Sequence, residues 1–327
     1  MGIDISKICV WCMSFDKPGT VHDWALGEEG TDAVVAHALN LGITFFDTAN
    51  VYSAGTSEEY PGKALRKHIS RDQVVIASKV YFNEGRPFIQ GHPSRDRWDA
   101  QAARHRLLGS LHHPQVRLCT PIEETMEALN DLVKAGKVPA LGASAMHAAS
   151  FRTCRKSPRT MAGTTSAPWR TTTTCSTGGT RRTRFPSAKR RTSHSCPTAL
   201  WPSTFWDGPS GPPTPCATRL IRSRAASMTG PKTTIWPSLT VCKRLQSYMG
   251  VPMARVAIAW QRAKGVASPI IGATKARHLD DAAAALDFEL TPQEGFSREE
   301  PYLPHETVGA IDSNPPQAVL PLEPEEN

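Results

Sequence analysis

Amphipathic helices alternate with buried apolar strands at intervals of about thirty residues along this 327-residue chain, which predicts an α/β fold of the (β/α)8 TIM barrel class. Two observations carry that expectation. Apolar runs such as residues 43–46 and 73–80 show no polar alternation, as expected of parallel strands covered on both faces. Their centres fall near residues 45, 76, 140 and 270, and a barrel of roughly 250 residues spends about 31 on each strand–helix unit.

The elements follow in order. Ile8, Val10 and Trp11 read as a strand, and Cys9 and Cys12 within it have C-x-x-C spacing. No second pair follows to complete four metal ligands, so both are read as buried, inert thiols. Val34, Val35, Ala38 and Leu39 lie at helical spacing within 31–41, with Gly42 as the C-terminal cap and the strand at 43–46 behind it. Ser57 is placed to cap a second helix reaching about Ile69, and QVVIASKV at 73–80 is the next buried strand. In the third unit Thr120, Pro121 and Glu123 form a capping box, Ile122, Met126, Leu129 and Val133 make one apolar face, and Gly136 ends the helix before a strand around Ala140. Helical patterns at 239–248 and 253–263 precede a last strand, glycine turn and helix in VASPIIGATKARHLDDAAAAL. The spacing calls for another strand near residue 108 and at least two more between 140 and 270, so strands four, six and seven are not recognisable from sequence.

The formal net charge of +8 sits almost entirely in one block. Between residues 151 and 230 there is no valine, a single isoleucine at Ile221 and a single acid at Asp207. Such composition buries too little apolar surface to offset the entropy of ordering. The expected organisation is a barrel over 1–310, interrupted by an aberrant or disordered basic Ser/Thr/Arg/Pro-rich block at 151–237, with a disordered tail at 311–327. No apolar run approaches the eighteen or so residues of a membrane helix, and Met1 is not followed by a charged-then-apolar leader, so a soluble cytoplasmic protein without a membrane partner is expected. Eight irregularly spaced cysteines in so long a chain do not form a disulfide framework.

The segments GITFFDTANVYSAGTSEE, VVIASKVYF, TPIEETMEALNDLVKAGKVPALGASAM, GVPMARVAIAW and SPIIGATKARHLDDAAAAL occur in this order. Through them the sequence resembles the aldo-keto reductases, most of all their larger microbial and fungal NADPH-dependent branch. The match covers a little over half the chain, and the late segment EEPYLPHETVGA is similar too. The resemblance implies reduction of aldehydes or ketones to alcohols, with hydride from NADPH and Tyr52 as proton donor. A free phenol has a pKa near 10 and is a sluggish acid at neutral pH, so it needs a neighbouring cation to stabilise the phenolate left behind. Lys79 matches that cation, and Asp47 would hold it. The strand ends carrying Asp47 and Lys79 are where a barrel puts its chemistry.

The same resemblance assigns the backbone N–H groups of Gly272, Ala273 and Thr274 to the 2′-phosphate of NADP, with Lys275 adding charge at a helix start. His278 stands where the family carries Arg or Gln, and Ala282 where it carries Asn. Ser144 matches a residue beside the nicotinamide amide, and Trp11 stands where the family has a small glycine near the cofactor. His113 is the counterpart, displaced by one position, of the histidine that closes the family's fourth strand. The implied partner is a small-molecule carbonyl substrate, and no oligomeric state follows.

Before TPIEE that branch carries IIHRFDY, whereas residues 112–119 read HHPQVRLC. One coding of these eight residues, CATCATCCACAGGTTCGACTATGC, translates from its second base as Ile-Ile-His-Arg-Phe-Asp-Tyr. Residues 112–119 and 151–237 are therefore read as out-of-frame passages from a splice junction or sequence error. The competing reading is a catalytically inactive barrel remnant whose basic block binds anionic partners such as RNA. The absence of regular aromatic interleaving in the block counts against nucleic acid.

Overall fold

The computed structural model describes residues 4–17, 25–49, 52–80, 107–112, 127, 130–138, 140–144, 198–199, 241 and 244–299. His113, the capping box at Thr120–Glu123, the tail and all of the basic block except Thr198 and Ala199 lie outside the described residues.

Seven described strands form one parallel sheet: β1 (Cys9–Trp11), β2 (Phe45–Asp47), β3 (Val75–Val80), β4 (Leu107–His112), β5 (Ala140–Ser144), β6 (Thr198–Ala199) and β7 (Ile270–Gly272). Their order is β5-β4-β3-β2-β1-β7-β6. The first five strands are thus neighbours in sequence order, and the first lies beside the last, which is how a singly wound barrel closes.

β4 fills the place near residue 108 that the spacing requires, pairing with β3 from Ile76↔Leu107 to Val80↔Leu111 and with β5 from Leu108↔Ala140 to His112↔Ser144. Its sequence, LLGSLH, contains no β-branched or aromatic residue, so propensity alone does not mark it as a strand. Of the strands expected between 140 and 270, β6 supplies one, reduced to two residues in register with Ile270 and Ile271.

Alternation along the strands divides the sheet into two faces. Val10, Phe46 and Ile271 join the cluster with Val34, Val35 and Ala38 of helix α1 (Glu28–Asn40), Ala64 and Leu65 of α2 (Thr56–His68), Ile258 of α3 (Met253–Ala263), and Leu279 and Ala282 of α4 (Ala276–Ala284). A short helix α5 (Pro292–Glu299) follows. The other face carries Cys9, Phe45, Val75 and Ile270 in register and, toward the C-terminal ends of the strands, Trp11, Asp47, Ala77 and Gly272.

Helix ends follow the sequence signals closely and helix starts less so. Gly42 and Gly136 adopt φ of 73° and 69°, and Ile43 N–H then reaches Ala38 O at 2.9 Å while Lys137 N–H reaches Leu132 O at 3.0 Å, closing each helix in a left-handed cap. Helix α1 starts at Glu28, ahead of Thr31, with Glu28 and Glu29 in its first turn where the helix dipole favours anions. Helix α2 starts after Gly55, at φ 99°. Ser57 is therefore inside the helix and not its cap.

Candidate active site

Parallel strands in register bring their C-terminal ends to one rim. Asp47 ends β2 level with Trp11 and Ala77, and Lys79 lies two residues beyond Ala77 on the same face of β3. The Lys79 Nζ donates to Asp47 Oδ1 at 2.9 Å and Oδ2 at 3.0 Å, to Thr48 O at 2.8 Å and to the Tyr52 phenolic oxygen at 3.0 Å. An ammonium has three N–H donors, and carboxylate, carbonyl and phenol take one each. Because the phenolic oxygen accepts, the phenol's own hydrogen stays available for another acceptor. Lys79 is 5% and Asp47 1% exposed, so the ion pair is held in a low-dielectric setting where only short, complete hydrogen bonding offsets desolvation.

Tyr52 opens the 3-10 turn Tyr52–Gly55 between β2 and α2, its N–H bonded to Ala49 O at 3.1 Å. Ser53, next in the chain, has φ 52°, a left-handed conformation costly for a non-glycine residue. The Tyr52 ring is flanked by the Lys79 ammonium, 4.6 Å from its centroid, and by the Trp11 indole, whose centroid lies 6.1 Å away at 71°.

A second set of buried hydroxyls holds this turn. Pro61 lies within α2 and has no N–H to give the Ser57 carbonyl four residues back. The Thr48 hydroxyl replaces it, 3.0 Å from Ser57 O. Ser57 Oγ donates its hydrogen to Cys12 O at 2.6 Å, so the single Thr48 hydroxyl hydrogen is shared between Ser57 O and Ser57 Oγ, the latter 2.9 Å away. The ends of β1 and β2 and the start of α2 are thereby tied together at the residue whose carbonyl receives Lys79. Ser78 Oγ donates to Glu58, adding a tie between β3 and α2.

Asp47, Tyr52 and Lys79 are thus brought together as the sequence predicts. Gly272, Ala273, Thr274 and Lys275 run from the end of β7 to the start of α4, with Gly272 level with Trp11 and Ser14 Oγ donating to Ala273 O at 3.3 Å. Lys275 and Arg277 are exposed and His278 half-buried at that helix start. Ala282 is fully buried in the core, and a larger polar residue there would have to displace that packing. Ser144 closes β5 opposite His112, and His113 follows immediately after β4. Cys9 and Cys12 are buried thiols that form no disulfide. Burial, and then the Asp47 carboxylate, push the Cys12 thiol well up, which keeps it protonated and unreactive.

Sequence reasoning missed Thr48 and Ser57 as supports of the site. The signal was present in Pro61, which requires some outside donor for the carbonyl of residue 57.

Comparison with known proteins agrees with this geometry. The aldo/keto reductase family model matches residues 13–164. Versiconal hemiacetal acetate reductase of Aspergillus parasiticus is 30% identical over 93% of this chain and 95% of its own length. An aldo-keto reductase of Alternaria alternata is 30% identical over 86% of this chain and 84% of its own. In three dimensions the chain is similar to the holo form of an aldo-keto reductase from Bacillus halodurans, with a TM-score of 0.67 at 18% identity over 94% of this chain and 95% of that one, a likeness in fold.

Proposed function

The chain belongs to the aldo/keto reductase family, and from that premise we propose that it reduces aldehydes or ketones to alcohols with NADPH, Tyr52 acting as proton donor. Membership implies oxidoreduction of a small carbonyl compound with a nicotinamide cofactor. The finer reading is carried by one observation: a buried ammonium, fixed by Asp47, donates to the oxygen of Tyr52 at 3.0 Å.

The residues fit such a cofactor. The Gly272–Lys275 loop presents small residues and the start of α4 at the rim beside β1, with the cations Lys275 and Arg277 exposed there. Backbone N–H groups at a helix start, reinforced by lysine and arginine, suit a phosphate, and the 2′-phosphate of NADPH is the anion proposed. With NADPH held by that phosphate, its nicotinamide would supply hydride to the carbonyl carbon. Negative charge then builds on the carbonyl oxygen, and the Tyr52 hydroxyl hydrogen, not engaged by Lys79, moves to it. The phenolate that remains faces the Lys79 ammonium, which Asp47 and the Thr48 carbonyl hold in place throughout. A positioned general acid of this kind contributes about 10²–10⁴-fold.

Tyr52→Phe tests it. The half-buried ring keeps its contacts with Trp11 and loses only the hydroxyl, so NADPH binding, read by fluorescence quenching, should persist while carbonyl turnover falls about 10²–10⁴-fold. Turnover within about threefold of the parent chain would remove Tyr52 from the chemistry.

A further inference from the structure

The indole of Trp11 occupies ground that the proposed reaction uses. Trp11 ends β1 in register with Asp47 on one side and Gly272 on the other. Its neighbours Val10 and Cys12 face the helix-side core, so alternation turns Trp11 to the face that carries Asp47. The ring meets Tyr52 in an edge-on contact at 6.1 Å, and a Cβ built on Gly272 would lie 4.0 Å from Trp11 Cε3. The indole thus spans the rim from the phenol to the first residue of the glycine loop. A carbonyl compound whose oxygen accepts from Tyr52 approaches a phenol flanked on one side by this ring and on another by the Lys79 ammonium, 4.6 Å from the phenol centroid.

We propose that Trp11 determines substrate specificity: its ring takes the room that the second carbon substituent of a ketone would need, so that the site favours aldehydes. The inference rests on Tyr52 as proton donor. Two neighbours could relieve the crowding only at a cost, since Tyr52 is fixed by Lys79 and the backbone at Gly272 is held in the β1–β7 ladder. A pocket wall that admits hydrogen and resists methyl discriminates by about 10–200-fold.

The experiment compares kcat/KM for benzaldehyde, acetophenone and isobutyrophenone, identical in their aryl group and graded in the second substituent, using the full chain with NADPH. Trp11→Gly should raise the acetophenone-to-benzaldehyde ratio about tenfold or more, and the isobutyrophenone ratio further. Trp11→Phe, which keeps an aromatic edge against Tyr52 and removes one ring, should move the ratios the same way by less. It also carries the test if the glycine variant does not fold. A general loss of structure would depress all three substrates and leave the ratios alone. Ratios within about twofold of the parent in a folded variant overturn the role of Trp11. A parent chain that turns over none of the three removes the Tyr52 reading and this one with it, whereas a parent that is active with unchanged variant ratios removes only this one.

Discussion

Replacing Lys79 with Met removes a cation that three partners surround, and stability and rate should respond separately. Asp47 is 1% exposed and accepts from Lys79 through both oxygens, at 2.9 and 3.0 Å. Without the ammonium its carboxylate is buried without that counter-charge, which costs about 3–5 kcal/mol. For a chain of this size about 2–4 °C of melting temperature accompanies each kcal/mol, so a fall of roughly 6–20 °C is expected. Changing both residues, Asp47→Asn with Lys79→Met, removes the stranded charge and should recover more than half of that loss, a coupling that a double-mutant cycle reads directly. The rate has its own scale. A hydrogen bond to a charged group contributes about 1.5–3 kcal/mol, or roughly ten- to a hundredfold in kcat if expressed only as the phenolate forms. Two full charges 3.0 Å apart at an effective dielectric of about 20 attract by roughly 5 kcal/mol, which sets a ceiling near 10⁴-fold. Loss of NADPH absorbance with an aromatic aldehyde, measured on the Asp47→Asn and Lys79→Met double variant so that folding is not in question, should therefore show a kcat lowered by more than about tenfold. A double variant within threefold of the parent would mean that the ammonium does not serve Tyr52, and the mechanism would be wrong.

Two further outcomes are expected from the supports of the site. Thr48→Val strands the Ser57 carbonyl opposite Pro61, at a cost of about 1–3 kcal/mol, and Pro61→Ala in the same chain supplies an N–H four residues on, so urea unfolding of the double variant should show a coupling of about 1 kcal/mol or more; additivity within about 0.5 kcal/mol would mean that Thr48 does not replace the missing helix bond. Cys12 holds its proton in the folded chain to higher pH than in the unfolded one, so stability is fully present below about pH 8.5 and declines as pH rises from there toward the folded value; Cys12→Ala should flatten that slope in denaturant titrations, and native-state labelling of Cys12 by iodoacetamide at pH 8 would contradict its burial.

How far the sequence reveals this site depends on whether a residue acts through its own strand or through something distant. Asp47 and Lys79 are legible because the resemblance assigns them roles and both stand at or next to the C-terminal ends of buried runs, where a barrel exposes chemistry. Gly42 and Gly136 are legible because a positive φ at a helix end favours glycine by sterics. β4 is hidden because Leu-Leu-Gly-Ser-Leu-His has no intrinsic strand preference, and its pairing with Ile76 through Val80 places it. Ser57 is misread for a different reason. Serine is a good cap, but the positive φ of Gly55 already starts the helix, which leaves the hydroxyl to bridge Cys12 and Thr48 across forty-five and nine positions of chain. The contact of Trp11 with Tyr52 is likewise invisible along the chain, since it arises only once β1 and β2 are in register.

The turn between β2 and α2 concentrates the demands of the chemistry into a few residues. Asp47 and the Thr48 carbonyl orient the ammonium, Tyr52 presents the phenol, and Ser53 and Gly55 hold positive φ values of 52° and 99° so that the chain reverses tightly enough to return the phenol over Lys79. A serine in that conformation costs on the order of 1–3 kcal/mol and persists only where its surroundings over-determine it. They do so here from three directions: β3 through Lys79, β1 through Cys12 O, and α2 through the carbonyl that Pro61 leaves without its helix partner. The hydrogen bonds that join Asp47, Tyr52 and Lys79 all lie between residues 47 and 79, on strands that β7 and β4 in turn support in the sheet. On the proposed reading the breadth of substrates is set at the rim, where Trp11 stands between Tyr52 and Gly272, and is the property most open to change.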